Sequence, residues 1–275
     1  MITAMIHNTV DFTANLSRAG YFFENMLQRG NNIISDEGVF VFEYTPAAMG
    51  AEPTTSLSCF VNHSEVAEET ITHTHAIELE NSWILFYNLS TISKIALIGT
   101  GTWDFMLQIE DEIIFSECCE YCAAENLAEN SIYKVEGYND DYRHGYLDDT
   151  YPGIGFFKVS DLNNKMFGSD KVEFKYSYGR SKILRSENYL KTRITFCNLT
   201  LYQQNLLKYL CNCQNLLIND IGYQLVSDFT EVNKDPLNEI CDLQADFVLT
   251  AQPVNETTNT ERKQNVKPSN LFVNG

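Results

Sequence analysis

From Trp103 to Ile109 the chain alternates: Trp103, Phe105, Leu107 and Ile109 are apolar, and Asp104, Met106 and Gln108 lie between them, with Glu110 following. A period of two places one set on a buried face and the other toward water, which predicts a strand. Shorter runs rich in β-branched and aromatic residues recur at Val39–Tyr44, Leu57–Asn62, Glu69–Leu79, Trp83–Asn88 and Lys94–Ile98, each bounded by polar residues, Gly or Pro. Runs of this length at this spacing predict an antiparallel meander or sandwich. Further on, Ile132–Gly137, Ile154–Val159, Val172–Tyr178 and Leu190–Leu199 predict strands, with a loop at Gly168 between the second and third of them. Leu216–Val232 and Ile240–Val254 predict long strands at the end of the folded part.

The period changes in three places. Phe12, Leu16, Ala19, Phe22, Phe23 and Met26 recur at helical spacing before Gly30, a plausible stop, so Phe12–Gln28 predicts a first helix. Ile113–Leu127 predicts a second, with Ala123, Ala124 and Leu127 as good helix formers. Leu201–Cys213 predicts a third, with Leu206, Leu207, Tyr209 and Leu210 as its core stripe. The expected class is α+β, mainly antiparallel sheets in a sandwich or barrel, with two or three helices packed on them. A strand, a helix carrying clustered Cys and a second strand occur twice in order, around 103–137 and 193–223, which suggests a duplicated layout.

The polar loop Tyr138–Pro152 divides the chain into an N-terminal β-rich lobe, 1–137, and a C-terminal lobe, 138–254. After it, Asn255–Pro268 is polar except for Val266, and predicts a flexible C-terminal arm, 255–275. Leu271, Phe272 and Val273 form an apolar tip on that arm. They are the residues expected to make assembly contacts, because such arms order by lying on a neighbour.

Composition narrows the function classes. The 275 residues are 44% hydrophobic and 20% charged, an ordinary globular mix. A net charge of −18 disfavours unassisted binding to a phosphate backbone. The same sign suits a passage that nucleic acid must slide through without adhering. Met1–Asp11 lacks the pattern of a secretory signal, and the apolar region Trp83–Met106 is interrupted by Asn88, Lys94 and two glycines, so no membrane partner is expected. The eight cysteines are accordingly expected to be free thiols.

Candidate chemistry is sparse. His73 and His75 are two apart with Glu78 and Glu80 following, a donor set suited to a divalent metal if one strand carries them. The string HTHAIELE resembles the first half of the cupin metal motif. It lacks the glycines that bound that motif, and no second half with a later His follows, so strand histidines without a metal are the expectation. Cys118 and Cys122 would share one helical face, where buried thiols acting as small hydrophobes fit better than a zinc site. Asp140, Asp141, Asp148 and Asp149 lack the Asp-x-Asp-x-Asp-Gly order of a calcium loop. No Gly-x-Ser-x-Gly elbow or phosphate loop occurs, and no catalytic residue or cofactor is expected.

The run RITFCNLTLYQQNLLKYLCNCQNLLIND, from Arg193 to Asp220, followed by LVSDFTEV and ICDLQADFVLTA, resembles tailed-phage virion proteins of the tail and neck. In those proteins a strand, a helix and long β-hairpins line up around a ring. The Asn- and Tyr-rich, Pro-poor composition is also similar to that of crAss-like phages. The resemblance covers about a third of the chain and carries over no functional residue. It implies a non-enzymatic ring or connector subunit of a virion, assembled in the host cytoplasm. The partners implied are copies of itself in a cyclic ring, neighbouring virion proteins, and DNA passing without specific binding. The competing expectation is a carbohydrate- or metal-binding β-sandwich, with or without hydrolase activity, that uses Trp83, Trp103 and the His73/His75 face.

Overall fold

A computed structural model of the chain describes residues 1–4, 12–14, 32–61, 64–91, 102–140, 152–175, 181–235 and 240–250. The N-terminal half is built from β1 (Ile2–Ala4), β2 (Phe12–Ala14), β3 (Ile33–Ile34), β4 (Val39–Tyr44), β5 (Thr55–Val61), β6 (Ser64–Ile71), β7 (His75–Glu78), β8 (Trp83–Asn88), β9 (Thr102–Ile109), β10 (Glu112–Ser116) and β11 (Cys119–Tyr121). The C-terminal half holds β12 (Ile132–Tyr138), β13 (Gly153–Lys175), β14 (Ser181–Leu199), α1 (Leu201–Cys211), β15 (Asn215–Ile218), β16 (Ile221–Leu225), β17 (Thr230–Asp235) and β18 (Ile240–Leu249).

The first half is a sandwich. One sheet runs β1-β4-β8-β7, and the other is centred on β9. β5 covers one edge of β9 along its whole length, while β10 and then β11 run in tandem along the other. The alternating apolar residues of β9 lie in the shared core, where they meet Phe40, Phe42, Leu85 and Tyr87 from the facing sheet. Phe40 stands edge-on to Phe105 at 5.0 Å and to Phe12 at 5.1 Å, a favourable arrangement for aromatic quadrupoles.

The second half closes on itself. Antiparallel pairing runs β12-β13-β14-β18-β16-β15 and returns from β15 to β12, so six strands form a barrel. Closure removes the edges that an open sheet would expose. β17 adds to β18 beyond the end of β16. The helix α1 packs on β12, β13 and β14 through Leu206, Leu207 and Leu210. Its start is fixed by a capping box, in which the Thr200 hydroxyl accepts from the Gln203 amide at 3.3 Å and the Gln203 side chain accepts from the Thr200 amide at 3.0 Å. Ile33 of the sandwich joins Leu127, Ile132, Ile154 and Phe156 in a small core that links the halves.

The α+β, mainly antiparallel class expected from the pattern is the one observed, but with fewer helices. Among the described residues α1 is the one α-helix. Phe12–Ala14, expected to open a helix, is a strand paired with β10, and 15–28 lie outside the described residues. Ile113–Leu127 is not a helix either. It forms β10, β11 and a 3-10 turn at Ala124–Asn126, because two successive stretches of it hydrogen-bond to β9. Its true period is two: Ile114 is buried while Ile113 is exposed. The duplicated layout falls with that helix.

Other differences concern continuity. Leu216–Val232 is not one strand, because Asn219 and Asp220, at φ of 49° and 62°, turn β15 tightly into β16. Two left-handed residues are what a two-residue hairpin loop demands, and Asn and Asp tolerate them. Conversely, the expected loop at Gly168 is strand: β13 runs unbroken for 23 residues and pairs with β14 past that point, Gly168 opposite Tyr189. Lys94–Ile98, most of the Tyr138–Pro152 loop and the arm 255–275 lie outside the described residues.

Candidate assembly interface

His73 lies in a link between the two sheets, and His75 opens a strand of one of them. β6 ends at Ile71 beside β5, whereas β7 begins at His75 beside β8, so the Thr72–Thr74 link crosses from one sheet to the other. The alternation that would aim both rings the same way does not apply. The His73 ring sits with Nδ1 2.8 Å from Thr55 Oγ1 and Nε2 against Glu52 Oε1, which occupies both nitrogens. The His75 ring tilts against Phe86 at 5.7 Å, and Glu80 is exposed in the bend after β7. Among the described residues no group of three or more His, Cys, Asp or Glu side chains is placed to hold a metal ion.

Cys59, Cys119, Cys211 and Cys241 are buried and pack as small apolar groups, while Cys118, Cys122, Cys197 and Cys213 are half-buried. Cys119 is buried and donates to the Trp103 carbonyl at 3.4 Å. Burial pushes Cys118 and Cys213 up to about 11. A thiol so far above neutral is almost entirely protonated and a poor nucleophile. The aromatic platform expected of a sugar-binding sandwich is also missing at its two named residues, since Trp103 is 1% and Trp83 7% exposed.

Charge is organised at the junction of the two halves. Lys134 on β12 reaches Asp220 Oδ1 at 2.7 Å, Glu37 Oε2 at 2.9 Å and Glu136 Oε2 at 3.8 Å. Burial alone would lower its pKa, but the hydrogen bonds to Asp220 and Glu37 outweigh it, and the ammonium is held charged. Burial raises Glu136 despite that neighbour.

Among the described residues the paired strands β13 and β14 extend past both of their neighbours. β12 accompanies β13 only from Gly153 to Lys158, and β18 accompanies β14 only from Lys191 to Leu199. From Phe167 opposite Leu190 to Lys175 opposite Ser181 the two strands pair with each other and, among the described residues, with no third strand. Nine residue pairs make a ribbon of about 30 Å. The sequence pattern announces only part of it, chiefly the predicted strand Val172–Tyr178, whose first four residues lie in the ribbon, while the stretch around Gly168 reads as a loop. Leu271, Phe272 and Val273, the expected contact residues of the arm, lie outside the described residues.

The architecture is that of an antiparallel sandwich joined to a closed barrel with an outlying two-stranded ribbon. Compared with family models, with curated proteins and with solved structures, the chain matches none of them. Among the described residues no helix is long and apolar enough to cross a membrane.

Proposed function

We propose that the chain is a non-enzymatic structural subunit of a phage virion, a ring or connector component of the tail or neck that assembles side by side around a DNA passage. The observation that carries the reading is the ribbon formed by the outer parts of β13 and β14. A two-stranded hairpin on its own is at best marginally stable in water, and long free strand edges invite pairing with another chain. A subunit that places its ribbon on a neighbour resolves both difficulties, and repetition of a heterologous contact closes a ring. The strand, helix and hairpin order of β14, α1, β15 and β16 agrees with the tail and neck resemblance in the same stretch. The net charge of −18 suits a lumen that DNA traverses without adhering.

Light scattering on the purified full chain, and on a version ending at Pro253, tests this. A large closed oligomer that weakens when the arm is removed supports the subunit reading and locates a second contact. Two monomeric species would remove the case for self-assembly.

A further inference from the structure

The segment 153–199, which contains β13 and β14, is the basic part of an acidic protein. It holds nine of the chain's 19 Lys and Arg residues and four of its 37 Asp and Glu residues. Residues 1–137 are the opposite, with four basic against 20 acidic residues. Among the described residues β6 pairs with β5 and with no other strand, which leaves one of its edges without a partner there. Its sequence, SEVAEETI, carries Glu65, Glu68 and Glu69 and no cation. The outer half of β14, SKILRSENYL from Ser181 to Leu190, carries Lys182 and Arg185 against Glu187. The eight residues of β6 and the ten of that segment are comparable in length.

We infer that the outer part of β14 of one copy adds as a strand to the β6 edge of the next. Main-chain hydrogen bonds would supply the affinity, and opposite charges along the facing strands the choice of partner. One chain carries both halves of the contact, so the contact is head-to-tail and can propagate from copy to copy. It would pair two strand edges that have no partner among the described residues. A nucleic-acid partner would leave the β6 edge uncovered and would bring the acidic sandwich toward phosphates. The inference rests on the subunit reading above and names its contact.

Two full-length variants test it. Lys182→Glu with Arg185→Glu makes the ribbon acidic, and Glu65→Lys with Glu68→Lys makes the edge basic. Circular dichroism establishes that both remain folded, and sedimentation velocity reads self-association. Each variant alone is expected to associate about tenfold or more weakly than the unmodified chain. An equimolar mixture is expected to recover association, because each variant's ribbon then meets an edge of opposite charge. An unmodified chain that oligomerises while neither variant weakens it would overturn this contact and leave the subunit reading standing. An unmodified chain that stays monomeric would overturn both. Loss of duplex-DNA binding in the ribbon variant, with the oligomer unchanged, would assign the ribbon to nucleic acid and overturn the contact.

Discussion

Arg193 and Asp246 stand directly opposite each other on β14 and β18, and the guanidinium grips the carboxylate with two hydrogen bonds, Nε to Oδ1 at 2.7 Å and the second to Oδ2 at 3.2 Å. Two residues along, the Gln244 amide donates to the Thr195 hydroxyl at 2.9 Å. This seam closes the barrel at the foot of the ribbon, where β14 loses the support of β18. A two-pronged pair fixes orientation as well as distance.

Asp246→Asn is expected to lower stability at pH 7 by about 1 kcal/mol, a modest figure because Arg193 is 37% exposed and solvent screens the pair. The hydrogen bond from Arg193 holds the Asp246 carboxyl below its usual value. The pair's contribution is therefore complete above the unfolded carboxyl pKa, about 4, and is lost as pH falls through the lower folded value. Urea unfolding at pH 7 and in acid is expected to show the gap between variant and parent shrinking in acid.

Gly137 lies on β12 where the end of α1 approaches most closely. A Cβ there would stand 2.6 Å from the Leu210 carbonyl oxygen and 3.0 Å from its Cα, and backbone atoms cannot swing away. Gly137→Ala is expected to cost about 1–3 kcal/mol, as overpacking does, and to lower the thermal midpoint. An unchanged midpoint would mean that α1 does not seat on the barrel at this distance.

Lys134→Gln leaves Glu37, Glu136 and Asp220 gathered without their shared cation. A loss of about 2 kcal/mol at pH 7 is expected. Glu136 titrates above its ordinary value in the fold, through burial, so it takes up its proton at a higher pH than an exposed glutamate would. The penalty comes from the charged carboxylates, and denaturation at pH 4 is expected to show a smaller difference than at pH 7.

Thiol labelling separates packed cysteines from reactive ones. In the native chain at pH 7.5, Cys118, Cys119, Cys211 and Cys213 are expected to react slowly, since burial raises all four thiols. In urea all eight cysteines are expected to react at ordinary rates. Fast labelling of Cys119 or Cys211 in the native state would contradict the packing of β11 or α1.

What the chain pattern discloses depends on how local each determinant is. Trp103, Phe105, Leu107 and Ile109 reveal β9, and Leu206, Leu207 and Leu210 reveal α1, because each pattern is written on one element facing one core. Ala123 and Ala124 point to a helix by propensity, but pairing with β9, a contact distant in sequence, makes strands of Glu112–Ser116 and Cys119–Tyr121 before them and leaves only a 3-10 turn at Ala124–Asn126. The Asn219–Asp220 turn is signalled by its residue types and masked by the apolar residues on either side. His73 and His75 mislead because alternation presumes one strand, and the chain changes sheets between them. Of the ribbon, Val172–Lys175 is legible as strand and nearly all the rest is not. Gly168 and its polar neighbours suggest a loop, and only the register with β14 shows them to be strand.

Negative-stain imaging of the purified full-length chain tests the central claim most directly. The subunit reading predicts closed rings with one fixed number of copies around an opening wide enough for a DNA duplex. Dispersed single copies at every concentration, with no ring or arc among them, would contradict it.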